Sequence, residues 1–401
     1  MKIAYFTDTF LPKIDGVVTS LLAVSNALVD EGHEILIIAP KPSHSSKNVR
    51  LGLKKGITVK YIASIPSFLY PDLRAGVPVS HNVIQTLRKF NPDVIHFQTT
   101  FLIGGGAILL GKILHKPIIG SFHTYFMEPE YIRNIGISDQ RNVIRSFLWR
   151  YAQVFYNVCD AVVTPAEIVR EDLMKHGVTK PITVIPNSLN ESLIKKTSLK
   201  QKSYLRKKYH LKDSIVLYVG RLSREKNVDE LIQAFAKVVL KNPHVTLLIV
   251  GDGPAKDKLE KQVKDLNLED SIVFTGSIKH IDLLANGLFE VADIFASAST
   301  SEVQPVSFIE AMAYGLPIVG VAKRGVHEMV KDVGLLSEPH TPSEITNNIL
   351  KILNDRKLQS DLSKKSLKKF EGTYRAVPIA QKYKAFYEHC LKIDNILSSD
   401  F

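Results

Sequence analysis

The feature that most constrains the fold is an alternation of short apolar strand patterns with helical patterns, which runs through the chain twice. The first run extends from a strand at residues 2–7, through a helix at 20–31, to a strand at 182–187. The second run starts with a strand at 214–219 and continues through a strand at 245–250 and a helix at 283–290 to a strand at 294–296. Strands that alternate with helices form parallel βαβ units. The pattern therefore predicts the α/β class, with two doubly wound, Rossmann-like domains in tandem.

The length and the charge pattern indicate where the two domains divide. A chain of 401 residues exceeds what one hydrophobic core usually supports. Residues 191–213 are strongly basic and separate the two runs, so they are the best candidate for a linker. We expect one domain over 1–190 and a second over 191–373. A helical pattern then fills the end of the chain, 374–401.

Composition restricts the partners and the compartment. The net charge of +12 indicates an anionic partner, which could be nucleic acid, anionic lipid or a nucleotide. No aromatic and basic nucleic-acid motif accompanies this charge, so we expect no nucleic acid. Cys159 and Cys390 lie in apolar helical contexts and show no disulfide or metal spacing, which suits packing residues in a reducing cytoplasm. No long apolar run predicts a membrane span.

Two stretches could contact a membrane surface. Residues 126–158 combine aromatic and apolar side chains with arginines, as in a helix that rests on anionic lipid. The same pattern fits a core helix with a solvated arginine face. The basic residues of 191–213 could equally be a solvated face or a contact with anionic membrane. The sequence leaves both pairs of alternatives open.

Candidate ligand-binding residues of the first domain follow from the topology. In doubly wound sheets, ligands bind beyond the carboxyl ends of the strands. This rule selects Asp8, Gly16, Gln98 and His123. Gly16 stands at a loop-to-helix junction, where backbone can approach a ligand, but no Gly-x-Gly-x-x-Gly accompanies it, so a plain dinucleotide fingerprint is unsupported. His123 could also be a structural residue that satisfies its own hydrogen bonds.

The second domain contains a candidate anion site at the start of a helix. A short strand at 294–296 is followed by Pro305, which can begin a helix that runs to Tyr314, before Gly315 ends it in a left-handed conformation. The backbone N–H groups at the start of this helix would point outward with the positive end of its dipole. They belong to Val306, Ser307 and Phe308.

Charged side chains flank that anion site. Glu302 lies in the loop and Glu310 lies one turn into the helix, although Ser307 and Glu310 also fit a capping box. Arg221 and Lys226 follow the strand at 214–219 in a single loop, and a guanidinium with an ammonium can hold two phosphates. Together these residues indicate a site for the ester of a nucleoside diphosphate.

The motifs as a group resemble a known family, the retaining glycosyltransferases of family four, which have the GT-B fold. The residues that carry the resemblance are GVV at 16–18, His123, GRLSREKN at 220–227, VGDGP at 250–254, FTG at 274–276, and Glu302 and Glu310 with AMAYGLP at 311–317. The resemblance covers essentially the whole chain. EVQP at 302–305 and SFHT at 121–124 make it look most like the bacterial enzymes that glycosylate diacylglycerol, the monoglycosyldiacylglycerol synthases.

The resemblance implies a role for each matching residue. The catalytic residues would be His123 beside the anomeric carbon, Glu302 on the sugar hydroxyls, and Arg221 and Lys226 on the diphosphate leaving group. The donor would also be bound by Gly16 near the diphosphate, Gly276 and Ser277 near the base, Val306 and Ser307 at the phosphates, and Glu310 on the ribose. It also implies that the two domains face each other across a cleft and that the last helix packs on the first domain.

One departure from the family bears on the phosphate contacts. The family usually has a glycine soon after the first glutamate, whereas Gln304 and Pro305 stand here. Pro305 removes one N–H donor from the phosphate cradle. No cofactor and no metal are implied, which fits the lack of an Asp-x-Asp constellation.

The resemblance thus implies a metal-independent hexosyltransferase that acts at the inner face of the cell membrane. It would move glucose or galactose from a UDP-sugar to the 3-hydroxyl of 1,2-diacylglycerol. Phosphatidylinositol, or a soluble or cell-envelope glycan, could be the acceptor instead, with a UDP- or GDP-sugar as the donor. A sugar-binding or nucleotide-binding protein without turnover is disfavoured, because both cations and both glutamates are present.

Overall fold

The structure is a computed structural model that describes residues 1–42, 53–66, 74–127 and 141–399. It contains two compact units. Unit 1 comprises Met1–Leu189 with Ala376–Phe401, and unit 2 comprises Asn190–Arg375. The domain boundaries predicted from the sequence fall after residues 190 and 373. No helix among the described residues is long and apolar enough to cross a membrane.

Unit 1 is built on a seven-stranded parallel sheet and a small antiparallel hairpin. The strands are β1 (Lys2–Phe6), β2 (Glu34–Pro40), β3 (Ile57–Ile62), β4 (Ser64–Pro66), β5 (Arg74–Gly76), β6 (Val94–Phe97), β7 (Ile118–Ser121), β8 (Ala161–Thr164) and β9 (Ile182–Val184). The sheet has the order β3-β2-β1-β6-β7-β8-β9, and β4 pairs with β5. The order reverses between β1 and β6, so the carboxyl ends of these two strands lie on either side of a topological switch point.

Helices cover both faces of the sheet of unit 1. They are α1 (Gly16–Asp30), α2 (His81–Phe90), α3 (Leu102–Leu114), α4 (Arg141–Asn157), α5 (Glu167–Lys175) and a C-terminal helix (Ala376–Ser399). Helix α1 begins four residues before the predicted start at residue 20, because the side chain of Asp15 accepts a hydrogen bond of 2.9 Å from the N–H of Val18 and caps it. The C-terminal helix packs against α1 and adds aromatic side chains to the core.

A buried polar network joins the C-terminal helix to the sheet. The hydroxyl of Tyr387 lies 2.8 Å from the hydroxyl of Tyr5 and 2.8 Å from Nδ1 of His96. Nε2 of His96 lies 2.8 Å from Oγ of Ser121. Burial lowers the pKa of His96 to about 3, so its ring is neutral at pH 7. The network holds the ends of β6 and β7, which the candidate residues Gln98 and His123 follow.

Unit 2 repeats the same architecture with six parallel strands. They are β10 (Ser214–Val219), β11 (Val245–Val250), β12 (Ile272–Gly276), β13 (Ile294–Ala296), β14 (Ile318–Val321) and β15 (Gly334–Ser337). The order is β12-β11-β10-β13-β14-β15. The switch point therefore falls between β10 and β13. Strand β11 is buried along its whole length, which explains why its sequence is a continuous apolar run rather than an alternating one.

The helices of unit 2 depart from the prediction in two places. They are α6 (Leu199–Lys208), α7 (Val228–Lys241), α8 (Lys256–Asp265), α9 (His280–Ala285), α10 (Leu288–Val291), α11 (Val306–Ala313), α12 (Gly325–Val330), α13 (Pro342–Asn354) and α14 (Arg356–Lys369). The helix predicted over 283–290 is two helices, because Gly287 has a φ of +95°. The predicted linker at 191–213 contains α6 and is largely helical.

Both cysteines are buried packing residues, as predicted. Neither forms a disulfide. Burial raises the pKa of the Cys159 thiol to about 12 and that of the Cys390 thiol to about 11. Both side chains are therefore protonated at neutral pH and poorly nucleophilic.

Candidate active site

The predicted donor residues of unit 2 follow strands on either side of its switch point. Arg221 and Lys226 lie in the loop after β10, and Glu302 lies in the loop after β13. Nζ of Lys226 is 2.5 Å from Oε1 of Glu302. Their side chains are 22% and 16% exposed, so the pair is partly shielded from solvent. The structure thus brings together two predicted site residues that are 76 positions apart in the sequence.

Hydrogen bonds between the two loops hold this pair in place. Asn227 has a φ of +48°, and its Nδ2 donates to Oγ1 of Thr300 at 3.1 Å. The hydroxyls of Ser299 and Ser301 both donate to the backbone oxygen of Glu225, at 3.4 Å. The small polar residues of the second loop therefore anchor the loop that carries Lys226.

The turn after β11 supports the loop that carries Arg221. Gly251 has a φ of +153°, and a Cβ on it would lie 1.9 Å from the backbone oxygen of Gly220. Gly253 has a φ of +157°, and its Cβ would lie 2.4 Å from the backbone oxygen of Leu222. Both conformations and both distances exclude a side chain, so the two loops approach each other only because these positions are glycine.

The N-terminus of α11 differs in detail from the prediction. The helix begins at Val306, and Pro305 precedes it as the N-cap residue. The N–H of Phe308 donates to the backbone oxygen of Pro305 at 3.1 Å, so the prediction that it points outward is wrong. The N–H groups of Val306 and Ser307 have no acceptor among the residues that the structure describes. Two backbone donors are therefore available for an anion at this end of the helix.

Glu310 is held by His280, which was not among the predicted site residues. Its side chain is 5% exposed, and its Oε1 lies 2.6 Å from Nε2 of His280. The capping-box alternative for Glu310 is wrong, because the N-cap residue is Pro305, which makes no side-chain cap bond. His280 begins α9, four residues after β12 ends at Gly276. The rule that selects residues beyond strand ends could have found it.

The predicted base-binding residues lie at the end of β12. Gly276 has a φ of +73°, and no atom lies within 4 Å of the position that a Cβ would take. Ser277 is exposed. The backbone here is open, and the left-handed conformation favours glycine over other residues.

In unit 1, the histidine at the predicted site is neutral. Nε2 of His123 lies 3.0 Å from Oε1 of Gln98, and its Nδ1 is buried without a hydrogen-bond partner in the described part of the chain. Burial lowers the pKa of His123 to about 4. At pH 7 the ring therefore carries no charge, and Nδ1 presents a lone pair when Nε2 donates to Gln98.

Asp8 and Gly16 lie at the same edge of the sheet of unit 1. A carboxylate oxygen of Asp8 accepts a hydrogen bond from the hydroxyl of Thr99, which also accepts from the N–H of Asp8 at 3.1 Å. Burial raises the pKa of Asp8 from 3.8 to about 6. Gly16 is the first residue of α1. Asp8 follows β1 and Gln98 follows β6, so they flank the switch point of this sheet.

No group of three or more histidine, cysteine, aspartate or glutamate side chains in the described ranges could hold a metal ion.

Two family descriptions match the chain. Residues 201–369 match the family described as glycosyl transferases group 1. Residues 14–193 match glycosyltransferase family 4. The first match lies within unit 2, and the second lies in unit 1 and extends four residues beyond its boundary at Leu189. Together the two matches cover most of the chain.

Similar proteins of known activity act on lipids or use nucleotide sugars. Alpha-monoglucosyldiacylglycerol synthase of Streptococcus pneumoniae is 29% identical and aligns with 83% of this chain and 74% of its own length. The enzyme of the same name from Acholeplasma laidlawii is 26% identical, with 80% of each chain covered. A GDP-mannose-dependent alpha-mannosyltransferase of Corynebacterium glutamicum is 26% identical, with 83% and 75% covered.

Solved structures show the fold. The Anabaena protein Alr3699/HepE in complex with UDP has a TM-score of 0.77 and 22% identity, and 97% of this chain and 100% of that chain are covered. Sucrose-phosphate synthase of Thermosynechococcus elongatus has a TM-score of 0.76 and 20% identity, with 98% and 100% covered. The predicted GT-B fold class, with two Rossmann-like domains, is confirmed.

Proposed function

The chain belongs to the glycosyltransferases of group 1 and family 4, which use nucleotide sugars, and from this membership we propose its donor and its acceptor. The enzyme moves glucose or galactose from a UDP-sugar to the 3-hydroxyl of 1,2-diacylglycerol and gives an alpha-monoglycosyldiacylglycerol. The observation that carries the donor side is the pairing of Lys226 with Glu302 at the switch point of unit 2. The acceptor rests on the two relatives named as alpha-monoglucosyldiacylglycerol synthases.

The chemistry of the donor side is electrostatic. As the bond between the sugar and the phosphate breaks, negative charge grows on the diphosphate. Arg221, Lys226 and the open N–H groups at the start of α11 stabilise this charge, and they stabilise it more in the transition state than in the ground state. This charge stabilisation needs no metal, so we propose that catalysis is metal-independent.

The two glutamates have different tasks in this proposal. Glu302 has acceptor oxygens for the hydroxyls of the sugar, and Lys226 fixes its orientation at 2.5 Å. Glu310 accepts hydrogen bonds from the ribose hydroxyls, and His280 fixes it at 2.6 Å. Each carboxylate is thus oriented before the donor binds, which lowers the cost of ordering the site.

The stereochemistry follows from the products for which the relatives are named. UDP-glucose is an alpha-linked donor, and an alpha-linked product requires retention at the anomeric carbon. The acceptor hydroxyl then attacks from the face that the diphosphate leaves. In this proposal His123 lies beside the anomeric carbon, as the family resemblance implies. Its neutral ring can accept a hydrogen bond there without adding a charge.

Other relatives favour a second candidate function. One is named as a GDP-mannose-dependent alpha-mannosyltransferase and aligns with 83% of this chain. Another, from Schizosaccharomyces pombe, is named as a phosphatidylinositol N-acetylglucosaminyltransferase subunit, is 22% identical and aligns with 97% of it. A GDP-sugar donor, with phosphatidylinositol or a glycan as the acceptor, is therefore the alternative to diacylglycerol glycosylation.

A donor-by-acceptor screen separates these functions. The full chain is incubated with labelled UDP-glucose, UDP-galactose or GDP-mannose, and with vesicles that contain diacylglycerol or phosphatidylinositol, in the presence and absence of EDTA. We expect a labelled glycolipid from a UDP-hexose and diacylglycerol, in equal yield with EDTA. Mannose transfer would support the second candidate. Binding of a nucleotide sugar without its consumption would show that the protein binds the donor but does not transfer the sugar.

A further inference from the structure

Helices α3 and α4 lie side by side on one face of the sheet of unit 1. Strands β6, β7 and β8 are neighbours in the sheet, α3 connects the first two and α4 precedes the third. Right-handed crossovers in the same direction place both helices on the same face. Their contacts agree: the hydroxyl of Tyr151 donates to the backbone oxygen of Thr100, and a Cβ on Gly104 would lie 3.2 Å from the ring of Phe155.

The outward sides of these two helices are apolar. On α3 the exposed large apolar side chains are spaced seven and then four residues apart. On α4 and just beyond it they are spaced four, seven and four residues apart. Because both spacings return to the same side of a helix, each set forms one stripe along its helix. Phe147 is 68% exposed. We call these residues the apolar face: Leu102, Leu109, Ile113, Val143, Phe147, Val154 and Val158.

The core does not need these side chains. Helix α4 already buries Trp149, Ala152 and Tyr156 on its inner side. The ring of Trp149 stacks on His176 at a centroid distance of 3.6 Å, and the hydroxyl of Tyr156 donates to the backbone oxygen of Ser121 at 2.8 Å. A core helix with only a solvated arginine face would be polar on its outer side. Contiguous exposed apolar residues instead indicate a surface that a lipid bilayer or another molecule covers.

The charged side chains of α3 and α4 are all basic. Neither α3 nor α4 contains an aspartate or a glutamate. Lys112 and Lys116 lie at the end of α3 and just after it, and Arg150 lies on α4 on the same side as Phe147 and Val154. Arg145 lies instead on the side of α4 that carries Trp149. Apolar side chains interleaved with basic ones, without acidic residues, are complementary to the surface of an anionic bilayer, where the apolar groups enter the acyl boundary and the cations meet the headgroups.

We propose that the apolar face of α3 and α4 is the surface by which the enzyme docks on an anionic lipid bilayer. This inference rests on the proposed function, because a diacylglycerol acceptor resides in such a bilayer. The contact consists of the seven side chains of the apolar face, which lie on α3, on α4 and just beyond α4. The basic segment at 191–213 is the competing surface: α6 presents Lys207 and Lys208 but only scattered apolar side chains, Leu199 and Tyr204.

The test is co-sedimentation of the full chain with vesicles of phosphatidylcholine, with and without phosphatidylglycerol. The double variant Phe147→Ser with Val154→Ser should bind mixed vesicles at least about tenfold more weakly, because two large side chains no longer leave water. The variant Lys112→Gln with Arg150→Gln should lose roughly fivefold in binding for each charge, and only when phosphatidylglycerol is present.

Matched controls remove the same kind of group elsewhere. Leu240→Ser removes an apolar side chain that is 85% exposed on α7, and Lys207→Gln with Lys208→Gln removes two charges from α6. Both should bind vesicles like the wild type. Thermal unfolding of every variant, measured without lipid, checks that Phe147→Ser with Val154→Ser remains folded.

Three outcomes would overturn the proposal. Binding to mixed vesicles that is unchanged in the apolar-face variant, or lost in the α6 variant, would assign docking to another surface. A concentration-dependent dimer that the apolar-face variant dissociates would show that a second copy covers this face. Transfer to diacylglycerol dispersed in detergent is measured separately: its absence, with vesicle binding intact, would refute the proposed function and leave the docking surface standing.

Discussion

Replacing Lys226 by alanine tests whether the cation at the switch point of unit 2 acts on the leaving group. In the structure its ammonium pairs with Glu302 at 2.5 Å and is 22% exposed. The proposed reaction asks this ammonium to face the diphosphate as well. The substitution removes one preorganised charge and leaves the partly buried carboxylate of Glu302 without this partner.

The expected magnitude separates catalysis from stability. Loss of one preorganised group that stabilises developing charge raises the barrier by about 2 to 4 kcal/mol. Because the side chain of Lys226 is partly solvated, we expect the lower part of this range, a fall in kcat of about 30-fold to 200-fold. Removing the partner of Glu302 should cost about 1 to 3 kcal/mol of unfolding free energy, which a two-domain protein can tolerate.

Initial rates with a saturating acceptor, over a range of UDP-sugar concentrations, measure the effect. Lys256→Ala is the matched control, because Lys256 forms a surface ion pair with Glu260 at 3.9 Å in the same unit. The loss in kcat should persist when Lys226→Ala is combined with Glu302→Gln. A kcat within twofold of the wild type would exclude Lys226 from the reaction. A loss that vanishes in the Glu302→Gln background would show that Lys226 only positions Glu302.

His280→Ala should raise the KM for the donor about fivefold to tenfold, because Glu310 loses the partner that orients it, while His280→Gln should restore most of the affinity; equal kinetics in all three proteins would exclude this role. Burial raises the pKa of Asp8 from 3.8 to about 6 in the folded protein. The protonated carboxyl of Asp8 therefore contributes fully to the stability of the fold below pH 3.8, and this contribution is lost as the pH rises through 6. The unfolding free energy of Asp8→Asn, measured by urea titration, should therefore rise relative to that of the wild type by about 2 to 3 kcal/mol as the pH increases from 4 to 7. A difference between the two proteins that does not change with pH would contradict the raised pKa of Asp8. Gly251→Ala should destabilise the protein by about 3 kcal/mol or more, because its Cβ would lie 1.9 Å from a backbone oxygen at a φ of +153°, whereas Gly105→Ala in α3, with open space around its Cβ, should be neutral or slightly stabilising.

Most strands could be read directly from the sequence. Strands β10 and β11 have the predicted bounds, 214–219 and 245–250. The reason is physical: a parallel sheet covered on both faces requires continuous apolar runs, and such runs are short and bounded by polar loops. Because each buried run ends sharply, the residues just beyond its carboxyl end could also be identified, and ligands bind at these ends in doubly wound sheets.

Features that depend on a distant contact could not be predicted. The helical pattern over 283–290 gave no reason for a break, but Gly287 takes a left-handed conformation, and a Cβ on it would lie 2.7 Å from Oγ1 of Thr197. Strand β15 is only four residues long and partly exposed, so its sequence shows no strong strand pattern. The pairing of His280 with Glu310 joins residues 30 apart and depends on the sheet order, which spacing does not reveal.

The two sheets use one topology for two kinds of chemistry. Each reverses its strand order at its centre, and each places candidate residues after the two strands that flank the reversal. In unit 2 these residues include the cations Arg221 and Lys226, which suit a diphosphate. In unit 1 they include Asp8, whose pKa burial raises to about 6, and Gln98. Gln98 is hydrogen-bonded to His123, which lies beyond the neighbouring strand β7 and which burial keeps neutral at pH 7. A neutral imidazole and a weakly acidic carboxyl suit an uncharged hydroxyl acceptor better than an anion, since neither offers a positive charge. The proposed reaction requires this division, because its donor gains negative charge as it reacts and its acceptor begins as a neutral alcohol.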